Sequence, residues 1–385
     1  MSVTAAQGFT AAGIAAGIKA NGNPDLALVV NNGPRLAAAG VFTSNRVKAA
    51  PVRWSEQVLR GGAVSAVVLN SGGANACTGP KGFQDTHATA EKVAAVLGGE
   101  HNAGEIAVAS TGLIGLLLPM DKLLPGIEMA AAALTADGGE AAAIAIKTTD
   151  TVHKTATASR DGWTVGGMAK GAGMLAPGLA TMLVVLTTDA DVDAATLDKA
   201  LRDATRTTFD RVDSDGCMST NDTVLLLASG ASGQVPEYAD FAEAVRTVCD
   251  DLALQLIGDA EGASKNIRIE VTGAVSEDDA VEVGRSIARN NLLKCAIHGE
   301  DPNWGRVLAA IGTTGAGFDP DRLNVAINGV WVCRNGSVGE DRELVSMKDR
   351  EVRITADLAN GSESAVIWTN DLTAEYVHEN SAYSS

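Results

Sequence analysis

A single hydroxyl stands at the seam between loop and core in residues 168–188, MAKGAGMLAPGLATMLVVLTT. Gly171, Gly173 and Gly178 break the chain around Pro177, Thr181 follows, and an apolar run begins at Met182. An internal threonine is a poor nucleophile, because no base sits beside its hydroxyl. As the first residue of a chain it becomes a good one, since a free α-amine with a pKa of about 7.7–8.0 takes the hydroxyl proton itself. To create that terminus, the Thr181 hydroxyl must attack the Ala180 carbonyl, shift the acyl group to an ester and let water release it. The shift needs a turn that holds the carbonyl within reach and a rigid element behind the nucleophile. The glycines and Pro177 supply the turn, and Met182–Leu186 supplies the strand. By spacing alone, an ordinary loop feeding a buried strand accounts for the same residues. The protein would then be an uncleaved small-metabolite binder.

Other constellations fail on spacing. Gly171-x-Gly173-x-x-Ala176 has the outline of a dinucleotide fingerprint, but that motif must open a helix, and Pro177-Gly178 and a strand pattern follow instead. Lys170 precedes Gly171 and closes no Walker A loop. In Asp213-Ser-Asp215-Gly216 the glycine falls at position four and position twelve is Val224, which describes an Asp/Ser-rich turn and not a calcium loop. The five histidines are never at ligand spacing, and there is no H-E-x-x-H or G-x-S-x-G, so no metal is expected. His298, in HGEDPNWGR (298–306), reads as a structural residue beside a tight turn before it reads as a general base.

The bulk properties narrow the class. A length of 385 residues suggests two domains, or one large and one smaller. The net charge of −17 argues against a polyphosphate partner or an anionic membrane, and no Lys/Arg cluster is interleaved with aromatics. Neither nucleic acid nor membrane is an expected partner. The most apolar stretch, Ile106–Leu118, is interrupted by Ser110, Thr111, Gly112 and Gly115 and is too short to span a bilayer. The N-terminal MSVTAAQGFTAAGIAAG lacks the basic start and compact apolar core of a signal peptide. Five scattered cysteines without a C-x-x-C pair fit a reducing cytoplasm.

The elements that must position Thr181 come from periodicity. Leu26–Val30, Ala63–Leu69 and Glu105–Ala109 read as strands, and Val165–Met168 and Met182–Thr187 flank the seam as two more. Asp85–Leu97 and Gly139–Lys147 are Ala-rich helical patterns. Val192–Arg206 is a helix capped by Asp191, and Glu237–Ile257 is a helix with Phe241, Val245, Val248, Leu252 and Leu256 on one face. Ser276 with Asp279 opens another helix, with Ala280, Val283 and Ile287 facing inward. Arg268–Val271, Leu323–Ile327, Glu351–Ala356 and Ala365–Thr369 alternate like strands. Without a regular β-α-β rhythm this predicts an α+β fold: a layered αββα-type sandwich over residues 1–265 and a smaller C-terminal domain over 266–385.

Residues 170–183, KGAGMLAPGLATML, resemble the self-cleavage segment of the ornithine acetyltransferase (glutamate N-acetyltransferase) family. LNSGGANACTG (69–79), ASTGLIG (109–115), KTTDT (147–151), STNDT (219–223), the segment around Glu261, HGEDPNWGR and the terminal SAYSS look like family segments in family order. The resemblance therefore covers essentially the whole chain. Ala172 and Gly178 depart from it in being smaller than expected. The resemblance implies cleavage between Ala180 and Thr181 into an α chain of 1–180 and a β chain of 181–385, which stay associated and assemble as α2β2 or larger. It implies that Thr181 takes acetyl from N-acetylornithine and hands it to glutamate, a double displacement that recycles acetyl groups in arginine biosynthesis. Some members also accept acetyl-CoA as donor and so act as N-acetylglutamate synthases. No metal or organic cofactor is otherwise implied.

The matched residues have chemical sense. Thr111 and Gly112 align with the family's oxyanion hole, where a hydroxyl and a backbone N–H aimed at one point stabilise a tetrahedral oxyanion. Lys170 would hold the substrate α-carboxylate through its point charge. Glu261 would meet the ornithine side-chain ammonium. Thr148 and Thr149 would line the same pocket, either of them making the contact. Asn380 and Ser385 would close it from the C-terminal tail. A rival on the same kind of scaffold is an N-terminal-nucleophile aminopeptidase or amidase. It would share Thr181 and the oxyanion hole but pass the acyl group to water. Lys170 and Glu261, the two charges an acetylornithine needs, separate the readings.

Overall fold

In the computed structural model, residues 2–99, 101–176 and 182–382 are described; Ala180, Thr181 and Ser385 lie outside them. Two units emerge, one of residues through Asp210 together with Cys217–Asp259, the other of Arg211–Gly216 together with the chain from Ala260 onward. The second unit thus starts ahead of residue 266 and also takes in a short segment from the middle of the chain.

In chain order the strands of the first unit are β1 (Phe9–Ile14), β2 (Leu26–Asn31), β3 (Ala37–Phe42), β4 (Ala66–Ser71), β5 (Ile106–Thr111), β6 (Lys154–Arg160), β7 (Trp163–Lys170), β8 (Leu183–Thr188) and β9 (Thr223–Ala228). They form a four-stranded sheet of order β1-β2-β4-β5 and a five-stranded sheet of order β3-β9-β8-β7-β6. β4 with β5 and β8 with β9 run parallel; the other neighbours are antiparallel. Every residue of β2, β4, β5, β8 and β9 is buried, as unbroken apolar runs require when both faces of a sheet are covered.

The two-residue period sorts those side chains into layers. Leu26, Leu28, Val30, Val68 and Val108 face Ala90, Val93, Leu123 and Ile127 of α2 (Gly79–Leu97) and α3 (Met120–Ala132). Ala27, Val29, Val67, Leu69 and Ala109 face Met168, Leu183, Val185, Leu225 and Leu227 of the opposite sheet. α1 (Ala50–Val58) lies along β5, with the Ser55 hydroxyl donating to the Val108 carbonyl at 2.7 Å. α4 (Gly139–Ala145) adds Ala142, Ala143 and Ala145 to the core between the sheets. On the outer side of the five-stranded sheet lie α5 (Ala194–Thr207), against β3, and α6 (Tyr238–Gly258), against β6 and β7, with Phe241 beside Trp163. The order through the unit is helix, sheet, sheet, helix.

One local expectation is corrected. The cap of α5 is Asp193, whose side chain accepts the Thr196 N–H at 2.8 Å, while Asp191 pairs with Arg35 at 2.9 Å. A cap accepts an N–H two or three residues further on, and the helix starts two residues later than its apolar pattern.

The second unit carries a six-stranded sheet of order β13-β12-β11-β14-β10-β15, built from β10 (Asn266–Ala274), β11 (Asn324–Ile327), β12 (Val330–Arg334), β13 (Ser337–Val338), β14 (Glu351–Asp357) and β15 (Glu363–Asn370). Its core joins Ile267, Ile269 and Val271 to Ala280, Val283 and Ile287 of α7 (Glu277–Ala288), with α8 (Asn291–His298) and α9 (Trp304–Ile311) alongside. Ser276 caps α7 by accepting the Asp279 N–H at 3.1 Å. The last element is α10 (Ala374–Ala382). Among the described residues no helix is long and apolar enough to cross a membrane.

Candidate active site

Strand ends assemble the polar cluster of the first unit. β5 terminates at Thr111 and β7 at Lys170. Their side chains, 59 residues apart in sequence, approach to 3.5 Å between Lys170 Nζ and Thr111 Oγ1. The Lys170 ammonium, 1% exposed, donates to Thr148 Oγ1 at 2.6 Å and lies 3.8 Å from Asp150 Oδ2. Thr148 is thus bonded to Lys170, and Thr149 lies next to it in the chain, half-buried.

Asp150 is the hub. Its Oδ1 accepts the Lys154 ammonium at 2.7 Å and the Gly171 N–H at 2.6 Å, and its Oδ2 accepts the Thr148 N–H at 3.0 Å. Lys154 also reaches Asp259 at 2.6 Å. Burial by itself would raise the Asp150 carboxyl, but Lys170 and Lys154 outweigh it and hold the group well below the usual carboxylate range. The pair keeps both charges in the interior because each is hydrogen-bonded as well as paired.

Gly112 follows Thr111 with φ +128°, a backbone region that side chains rarely enter. A Cβ there would stand 2.5 Å from the Gly73 nitrogen, because the Thr111 carbonyl accepts the Gly72 and Gly73 N–H groups at 2.9 and 3.0 Å. The two loops press together at Gly112.

The segment after residue 218 fastens this region. Asn221 donates through Nδ2 to the Ala74 and Ser110 carbonyls at 2.6 and 2.8 Å. Its neighbour Asp222, fully buried, accepts the Met182 N–H at 3.1 Å. Burial drives the Asp222 carboxyl well above its ordinary range, and the Met182 N–H, Ser219, Lys170 and Thr43 pull in the other direction without overcoming it.

In the second unit the Asn380 amide of α10 donates to Glu261 Oε2 at 2.9 Å. Gly262, at φ +61°, permits the approach: a Cβ there would lie 2.2 Å from the Tyr376 nitrogen. Desolvation and the like charges of Glu261 and Glu375 raise the Glu379 carboxyl, so carboxylates gather around Glu261. His298 ends α8 with Nδ1 3.0 Å from Asp371, which also binds the Ser264 hydroxyl and the Ser264 and Lys265 N–H groups. That arrangement fixes a loop. Asp213 is buried against Arg289 at 2.8 Å, and among the described residues no group of three or more His, Cys, Asp or Glu could hold a metal ion.

The structure thus joins Thr111, Gly112, Thr148 and Lys170 in one unit and Glu261 and Asn380 in the other. Ala180, Thr181 and Ser385 fall outside the described residues. Asp150, Asn221 and Asp222 carry parts of the site that the sequence reading left without a role. Each sat within a segment noted for its resemblance, and the available signal was an acid or amide beside hydroxyl residues at a strand boundary.

Comparison with known proteins gives a consistent answer. The ArgJ family pattern matches residues 10–385. The arginine biosynthesis bifunctional protein ArgJ of Streptomyces avermitilis is 82% identical over 385 residues, spanning all of both chains. That of Mycobacterium tuberculosis is 59% identical over 389 residues, covering all of this chain and 96% of the other. The structure of ornithine acetyltransferase in complex with ornithine, also from Mycobacterium tuberculosis, is 61% identical with a TM-score of 0.45, covering 47% of this chain and 96% of that one. By a family match that spans almost its full length and by identities of this order, the chain belongs to the ArgJ family.

Proposed function

We propose that the protein cuts itself between Ala180 and Thr181 and then, as a glutamate N-acetyltransferase, carries acetyl from N-acetylornithine to glutamate on the Thr181 hydroxyl. The observation that supports this best is the convergence of Thr111, Thr148 and Lys170, with glycine enforced at 112. Lys170 is opposite Leu183 in the ladder of β7 and β8, and the connection between them is the segment that contains Thr181. Relatives over the full length are arginine biosynthesis bifunctional proteins, which supports this reading.

In this reading the Thr181 α-amine takes the hydroxyl proton as the oxygen attacks the acetyl carbonyl. Thr111 and the Gly112 N–H receive the developing oxyanion. Ornithine leaves with the proton, and the glutamate nitrogen attacks the acetyl ester in place of water. Lys170 holds the α-carboxylate, its charge moderated by Asp150. Glu261, among Glu375 and Glu379 and bonded to Asn380, receives the ornithine ammonium. No metal or organic cofactor takes part. The two chains remain together as α2β2 or larger, in the cytoplasm.

A denaturing gel tests the cut. From 39.3 kDa over 385 residues, two bands of roughly 18 and 21 kDa are expected. Thr181→Ala should give one full-length band and no transfer; a persistent cut in that variant would assign it to an external protease. Incubation with N-acetylornithine should yield ornithine in quantity only when glutamate is added. Turnover without glutamate would favour the hydrolase, and acetyl-CoA in place of acetylornithine decides the donor question.

A further inference from the structure

Carboxylates are in surplus in this chain, with 47 Asp and Glu against 30 Lys and Arg. One cavity of the first unit reverses that balance. It has a volume of about 570 Å³ and is lined by Arg46, Lys48 and Arg53 with a single acid, Glu56. Lys48 is ion-paired with Glu56. Among the described residues the Arg46 side chain has no ion pair or hydrogen bond. The Arg53 side chain has only the ring of Phe83, whose centroid lies 5.8 Å from the guanidinium carbon. Two guanidiniums therefore line one cavity with no carboxylate to neutralise them. Like charges gathered on a concave wall repel one another and focus their field into the cavity, a cost that a bound anion relieves.

The frame that carries these side chains is fixed. The Asn45 amide donates to the Met218 carbonyl at 3.0 Å, the Ala49 N–H to the Thr220 carbonyl at 2.9 Å and the Ala50 N–H to the Asn75 carbonyl at 3.1 Å. Arg46 and Lys48 lie between the first two of these anchors and Arg53 follows in α1. The cavity is of the size that encloses a whole small molecule, and half-buried Phe83 gives it an aromatic wall.

Charge and geometry narrow the occupant. Three cations less one acid leave two positive charges, which a phosphate monoester balances at about −1.5 to −2 near neutral pH. Its three oxygens can engage two guanidinium forks at once, where a carboxylate fills one. We propose that this cavity binds a phosphate monoester that carries a planar aromatic group, with the phosphate on Arg46 and Arg53 and the ring against Phe83. The proposal is independent of the reading of Thr181. The cavity nevertheless borders the candidate active site through one pair of loops. The Ala74 N–H donates to the Leu113 carbonyl and the Gly115 N–H to the Ala76 carbonyl, both at 2.9 Å, and Cys77, which follows, lines the cavity.

Cys77 is exposed, so its alkylation by iodoacetamide reports occupancy of the cavity without recourse to activity. Exposed Cys295, in the second unit, is the internal control. Adenosine monophosphate should slow alkylation of Cys77 saturably and leave Cys295 unaffected. Adenosine, without the phosphate, and inorganic phosphate, without the ring, should each need at least about tenfold higher concentration for the same protection. Arg46→Gln combined with Arg53→Gln should weaken protection by adenosine monophosphate at least about tenfold, with an unchanged thermal midpoint. Absence of saturable protection overturns the proposal, as does protection that survives both substitutions or that adenosine matches. Inorganic phosphate as effective as adenosine monophosphate overturns the assignment to an aromatic ester. Should the double variant not fold, the comparison of the three probes on the wild type decides by itself.

Discussion

The charges of the two units are held in opposite ways. Around Lys170 the ammonium, Asp150 and Lys154 are all buried, and each is fixed by short hydrogen bonds to side chains or backbone. Around Glu261, half-buried in the second unit, like-charged carboxylates gather and exposed Asn380 is a bonded neighbour. The first cluster supports the fold and holds its ammonium in position. The second is a concentration of one sign, which costs the fold little in water and gains from an added cation. Burial turns charge into rigidity; exposure lets water screen it.

The largest effect that could break this contrast is on stability. Asp150→Asn removes the carboxylate shared by two buried ammoniums, and urea unfolding should register a loss of about 3–5 kcal/mol. A loss under about 1 kcal/mol would mean that water reaches the cluster and that the two regions do not differ in kind.

Next in size is the pH dependence of that loss. A carboxyl whose folded pKa is depressed stabilises fully above its unfolded value, and the contribution disappears as pH falls through the folded value. The stability gap between the wild type and Asp150→Asn should thus be full above about pH 5 and narrow steadily toward pH 2. A gap independent of pH would show that the ionised carboxylate is not its source.

The smallest effect on the fold belongs to the other cluster. Glu261→Gln should move stability by no more than about 0.5 kcal/mol while raising KM for N-acetylornithine roughly tenfold or more. An unchanged KM would leave Glu261 a solvated surface acid, and the contrast would lose its functional half.

Much of the framework was legible because its signals are local. The apolar runs at Leu26 and Ala63, the facial period of the helix ending near Ile257 and the Ser276 cap each depend on residues within a few positions of one another. Strand β9 was missed, although VLLL is as apolar as its neighbours, because a short buried run has no alternation to reveal it. The α5 cap was placed two residues early, because two aspartates stood close enough to the pattern to serve. Within the candidate site, residue types and the resemblance drew attention to Thr111, Lys170 and Glu261. Asp150 and Asp222 had no pattern to mark them.

The sequence by itself determined which stretches would be strand or helix and where a hydroxyl would meet the core, since periodicity, capping and glycine placement act along the chain. Only the tertiary structure decided that Asp150 neutralises two lysines, that Asn221 fastens the strand end at Ser110 and that Asp222 grips the peptide after Thr181. The reason is physical. These partners lie on different strands, and two side chains meet there only when strand order, register and burial bring their ends together, quantities that no local pattern encodes.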